Sequence, residues 1–184
     1  MGRSWLLFVF VIAAFIKMVN PEAIATHEYL SVQKTGTTTI YLVRHAEKLT
    51  TDPKDEDPGL TSAGYKRAED LKLLLRNESI AAFFTTPYKR NRQTLAPIAQ
   101  NRKPEVYDAH DFKNLKTRIL RDYAGKTVLV VGHSNTLLPI IDAFGGKKPL
   151  EQIADNQYDN LFKIIISPSG KAKVEALKFG AHTI

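Results

Sequence analysis

From Thr127 to Val131 the chain runs Thr-Val-Leu-Val-Val, five consecutive β-branched or leucine residues. Successive side chains of a strand point to opposite faces, so an uninterrupted apolar run must be covered on both sides. A strand of that kind sits inside a sheet sandwiched between helices, and the rest of the sequence supplies both components. Thr38–Val43 and Ala81–Thr85 read as further strands, rich in β-branched and aromatic residues. Between them, Thr61 reads as a helix N-cap, and Tyr65, Ala68, Leu71, Leu74 and Leu75 recur at helical spacing. A helix is expected from Lys89 to Gln100 after the turn signal Thr86-Pro87, and an extended piece at Pro104–Asp108. Asp111 then caps a helix that carries Phe112, Leu115, Ile119, Leu120 and Tyr123 on one face and ends at Gly125. Asn135–Phe144 reads as a helix closed by Gly145-Gly146, and Leu161–Ser167 with Lys171–Phe179 as an antiparallel hairpin. Strands alternating with helices predict an α/β fold: three layers, α/β/α, with a largely parallel central sheet and an antiparallel C-terminal hairpin.

The N-terminus departs from this pattern. Arg3, an apolar run from Trp5 to Ile16 and Ala23-Ile24-Ala25 read as a signal peptide over residues 1–25, cleaved after Ala25. At about a dozen residues the run is shorter than the ~20 that span a bilayer, so cleavage is favoured and a retained anchor is the alternative. Residues 26–184 then form one domain, with no stable membrane span after cleavage, and the expected location is periplasmic or cell-surface. The chain has no cysteine, which removes thiol catalysis, disulfides and thiolate metal sites. Its formal charge of +7 falls to +6 without residues 1–25, because Arg3, Lys17 and Glu22 go with them. A positive field favours anionic partners. The basic residues are scattered rather than massed in a block, which argues against a nucleic-acid surface.

Open parallel sheets place their sites outside the carboxyl ends of the strands. The three loops after Val43, Thr85 and Val131 carry Arg44-His45, Lys89-Arg90-Asn91-Arg92-Gln93-Thr94 and His133-Ser134-Asn135. Guanidinium forks grip oxyanions bidentately and stay charged at any working pH, and a neutral imidazole is a competent nucleophile toward phosphorus. Two imidazoles and at least two guanidiniums at one sheet edge therefore predict a phosphate pocket.

Four motifs in order resemble the histidine phosphatase superfamily, in its phosphoglycerate-mutase-like branch. They are Leu42-Val43-Arg44-His45, Leu60-Thr61-x-x-Gly64-x-x-x-Ala68, Thr85-Thr86-Pro87-Tyr88-Lys89-Arg90-x-x-Gln93-Thr94 and Val131-Gly132-His133-Ser134-Asn135. The resemblance runs from about Thr38 to Gly146. It implies His45 as nucleophile, Arg44 and Arg90 as phosphate ligands and His133 as the second pocket histidine, with Arg90 preferred over Arg92 because the family's arginine stands four residues before the Thr. No cofactor and no metal are implied. Ala46 replaces the family's usual glycine, and Ser134 stands where the phytase-like branch has its aspartate proton donor.

Members of the branch often carry a glutamate acid between the arginine helix and the second histidine. Here that interval offers Glu105, Asp108 and Asp111, and Asp108, near the end of the extended piece, is the preferred general acid. Glu47 is its rival, and no dedicated acid is the third alternative, suited to good leaving groups. The short interval between Thr94 and His133 favours hydrolysis over mutase chemistry. Ser134 as an elbow nucleophile would need a downstream histidine, and only His182 follows it. The acidic loop Asp52–Pro58 lacks the alternating acids and glycine of a calcium loop. The expected function is thus metal-independent hydrolysis of a small phosphorylated substrate through a phosphohistidine on His45. An exported phosphate-anion binding protein without catalysis is the alternative, and the oligomeric state is left open.

Overall fold

A computed structural model describes residues 36–183; the expected signal peptide over 1–25 lies outside them. Six strands form one sheet in the order β3-β2-β4-β1-β5-β6. They are β1 (Thr38–Arg44), β2 (Ile80–Thr85), β3 (Glu105–Val106), β4 (Thr127–Gly132), β5 (Asn160–Ile166) and β6 (Ala172–Lys178). The first four run parallel, β5 lies antiparallel to β1, and β6 returns antiparallel to β5, as the sequence pattern requires. Helices α1 (Ser62–Leu74), α2 (Lys89–Ala99), α3 (Phe112–Asp122) and α4 (Ser134–Ala143) complete the fold.

The two-residue period of β1 divides its side chains between two cores. Tyr41 and Val43 join Leu71 of α1 and Leu95 of α2 on one face, with Leu129 and Val131 of β4 beside them. Ile40 and Leu42 face the other way, onto Leu115 and Ile119 of α3 and Ile140 of α4. Both faces of β1 and β4 are therefore covered, which is what the unbroken apolar run of Thr127–Val131 demands. Within the pair, Arg44 stands beside Gly132 in the parallel register, so β1 and β4 finish level with each other.

The expected caps form. Thr61 Oγ1 accepts from Gly64 N–H at 3.0 Å, and Asp111 Oδ1 accepts from Asn114 N–H at 2.9 Å. The stripe of α1 differs from the sequence reading. Tyr65 and Leu74 are exposed, while Arg67, Ala68 and Leu71 turn inward. The cause is the close approach of α1 to the loop after β1: a Cβ at Gly64 would lie 2.4 Å from the carbonyl oxygen of Glu47. That contact fixes the helix's rotation and brings Arg67, rather than Tyr65, against the loop.

Candidate active site

Everything the sheet places at the ends of β1, β2 and β4 converges on a cleft of about 660 Å3, within the range of small-molecule sites. Arg44 ends β1 and His45 follows it, its N–H bonded to Gly132 O at 3.0 Å. His133 follows β4 and leads into α4, its N–H donating to Thr136 Oγ1 at 2.9 Å. Arg90 enters from the first turn of α2. The two imidazole centroids are 5.3 Å apart, edge to face at 66°. Arg44, His45, Arg90 and His133, read from three separate loops, all line this one cleft.

The guanidiniums are held from behind. Arg44 donates through Nη1 to the carbonyls of Ala154, Asp155 and Gln157 at 3.1, 2.8 and 3.1 Å, and stacks on Tyr158 at 4.0 Å. Arg90 stacks on Tyr88 at 4.3 Å and lies 3.8 Å from Asp57 of the acidic loop. In both residues the Nε–H is buried and has no partner among the described residues. Two buried, unsatisfied cationic donors cost free energy unless an anion takes them, and an oxyanion's equatorial oxygens fit that need.

His45 is 3% exposed, and its Nδ1 lies 2.8 Å from Ala46 O. A carbonyl can only accept, so Nδ1 carries the proton and, in the neutral ring, Nε2 keeps its lone pair. Burial first, then the charges of Arg44, His133 and Arg90, lower the ring to about 3 despite the opposing Ala46 bond, which keeps it neutral near pH 7. His133 is lowered to about 4, by burial and then by Arg90, Arg44, His110 and Lys48. Its Nε2 sits 3.1 Å from Thr86 Oγ1.

Several supporting residues were not singled out for these roles by the sequence reading. Thr94 accepts from Ala46 N–H at 2.9 Å and donates to Arg90 O at 2.7 Å, tying the loop of His45 to the turn of Arg90. Asn91 donates to the carbonyls of Val131 and Gly132, both at 3.2 Å, and fixes the end of β4. Both lie in the motif that supplied Arg90. Tyr158 and Asp155 come from the loop before β5, where no periodic signal or motif marks them.

Asp108, the preferred acid, is exposed and does not line the cleft. Its Oδ1 accepts from His110 N–H at 2.9 Å, a local turn that leaves His110, not Asp108, on the cleft wall. Glu47 is held in a fork by Arg67, with contacts of 2.7 to 3.0 Å, while Arg67 also donates to Phe179 O and Ala181 O. Its carboxylate thus braces α1 and the C-terminal segment instead of lining the cleft. Among the described residues Ser134 Oγ reaches only Asp155 Oδ1, at 3.5 Å, and His182 is bonded to Asp159 beside a different groove. Among the described residues no group of three or more histidine and carboxylate side chains could hold a metal ion.

A parallel α/β sheet with paired histidines and arginines at its strand ends defines a protein built to hold an oxyanion. Residues 40–117 match the family model of the histidine phosphatase superfamily (branch 1), the family that the four sequence motifs resemble. Among solved structures it is similar to the protein histidine phosphatase SixA complexed with tungstate, with 16% identity, 76% of this chain and 96% of that one covered, and a TM-score of 0.62. Bacillus stearothermophilus YhfR is 20% identical over 79% of this chain and 98% of its own, with a TM-score of 0.61. The alpha-ribazole phosphatase from Shigella flexneri is 14% identical over 76% and 96%, with a TM-score of 0.57. No curated protein matches the chain.

Proposed function

We propose that the protein is a histidine phosphatase that hydrolyses small phosphomonoesters through a phosphohistidine on His45. The observation that carries the reading is the bond from His45 Nδ1–H to Ala46 O, which aims an unprotonated Nε2 into a cleft where Arg44 and Arg90 present unpartnered Nε–H donors. In the first step Nε2 forms a bond to phosphorus as the ester P–O bond breaks, and the leaving oxygen departs as its anion and takes a proton from water. Arg44 and Arg90 bind the equatorial oxygens, and His133, oriented by Thr86, donates toward the phosphoryl group. Water then attacks phosphorus, the P–N bond breaks, and inorganic phosphate leaves with His45 restored.

No carboxylate is dedicated to protonating the leaving oxygen in this mechanism. Among the described residues Asp155 is the one acidic side chain on the cleft wall, and it lies 3.9 Å from Arg44 Nη2. Substrates whose alcohols leave as stable anions therefore suit the site. The phosphatases of similar fold act on chemically different substrates by their names, SixA on phosphohistidine proteins and the Shigella enzyme on alpha-ribazole phosphate, so the likeness supports the chemistry and leaves the substrate to the cleft. With the leader read over residues 1–25, the activity belongs outside the cytoplasm.

The test is turnover of para-nitrophenyl phosphate in the presence of EDTA. The expected result is hydrolysis that falls by about 1,000-fold or more in His45→Ala, as loss of a covalent nucleophile does. Rapid quench of the wild type should trap an acid-labile, base-stable phosphoryl label. Phosphate binding without any turnover would instead identify an anion-binding protein.

A further inference from the structure

The cleft is larger than a phosphoryl group needs, and its wall carries a further cation besides Arg44 and Arg90. Lys48, three residues after the nucleophile, is half-buried and lines the cleft. Its backbone is pinned: Lys48 bridges Leu60, and Leu49 N–H donates to Gly59 O at 2.9 Å. Arg44 has Asp155 within 3.9 Å and Arg90 has Asp57 within 3.8 Å, whereas among the described residues no carboxylate comes within ion-pair reach of Lys48. His110, presented by the turn at Asp108, brings an imidazole to the same cleft, and Asn135 adds an amide at the start of α4. His110 and Lys48 lie close enough to His133 for their charges to act on its ring. A half-buried lysine on a pinned backbone, with no counter-charge among the described residues, is suited to an anion.

We propose that Lys48 and His110 form a second subsite that binds an anionic group on the substrate's leaving-group side, so that the preferred substrates are phosphomonoesters carrying a carboxylate or a second phosphate. The inference rests on the hydrolase reading for the word substrate, but the subsite can be measured without turnover. The probes are stable phosphonates, read by calorimetry: benzylphosphonate, para-carboxybenzylphosphonate and para-phosphonobenzylphosphonate. The wild type should bind an anionic-tailed analogue about tenfold more tightly than benzylphosphonate, the scale of one charge-assisted hydrogen bond. The carboxylate and phosphonate arms show which tail is preferred. Lys48→Met should erase the preference, and His110→Gln should reduce it. Lys54→Met, on the exposed acidic loop, should keep it.

Equal binding of charged and uncharged tails by the wild type would overturn the subsite, as would a failure to bind any analogue. A Lys48→Met variant that weakens all three alike, leaving their ratio intact, would overturn it too by placing Lys48 on the reacting phosphate. Turnover of phenyl phosphate measured in parallel keeps the two claims separate. A preserved tail preference with no turnover supports the subsite and sinks the hydrolase reading.

Discussion

His45 is neutral because it is buried, and that has a measurable consequence. In the free protein its ring is lowered to about 3, so kcat/KM, corrected for the substrate's own ionisation near pH 6, should show no loss attributable to His45 until well below pH 5. A limb near 6.5 that vanished in a His45 variant would contradict the geometry. The absence of a dedicated acid is testable at the same scale: across a series of aryl phosphates, kcat/KM should fall steeply as the leaving phenol becomes more basic. A flat dependence would mean that a proton donor is at work. Arg44, His45, Arg90 and His133, which line the cleft, were legible because each lies at or shortly after a strand end and belongs to a motif. Asp108 does not line the cleft, and sequence spacing cannot tell which side chain a two-residue turn points inward. The Asx turn at Asp108 spends that carboxylate on His110 N–H and puts the imidazole on the wall. Tyr158 and Asp155 were invisible because they arrive from far along the chain.

At the scale of elements, the site depends on contacts between helices and loops that no periodicity reports. Thr94 joins the loop after β1 to α2 through a single hydroxyl. Thr94→Val keeps the shape but leaves Ala46 N–H buried without an acceptor, a cost of about 1–3 kcal/mol. The expected outcome is a clear loss of kcat/KM, of order tenfold, together with a lowered Tm. Gly64 makes the complementary point. With Glu47 O only 2.4 Å from where its Cβ would be, Gly64→Ala must push α1 off the loop, and thermal unfolding should show a loss larger than an ordinary surface substitution gives. The helix itself was plain from Thr61 and the leucines, but its rotation was not. Hydrophobic spacing put Tyr65 and Leu74 on the inner stripe, whereas backbone contact at Gly64 and the Arg67–Glu47 fork decide which face is buried.

For the whole molecule, acid is the natural enemy. His45 and His133 sit at about 3 and 4 when folded, against an ordinary value near 6.5 when unfolded, so between those limits the unfolded chain binds more protons. Stability therefore rises with pH through that window and is lost on acidification through it. Asp159 adds a second loss at lower pH. Burial raises it, but bonds from Lys178, Thr183 and His182 hold it well below the usual carboxylate range, so its contribution is present above about pH 4 and disappears as pH falls further. Melting temperatures should drop steadily from pH 7 to pH 4, and a His45→Asn/His133→Asn double variant should show a shallower drop over the same range. The layered architecture behind this was readable from one apolar pentapeptide. The last residues of the chain were not: Phe179 and Ala181 lend their carbonyls to Arg67, a service that only the folded chain reveals.

The level finish of β1 and β4, with Arg44 beside Gly132, bears on how such a molecule can change over time. The two imidazoles stand 5.3 Å apart, close to the ~4.8 Å gauge of neighbouring strands. Their separation is thus inherited from the peptide ladder itself and owes nothing to loop length. Insertions around the rim can remake what the cleft admits, lengthening one lip or recharging another, while the track on which the two histidines run keeps its width.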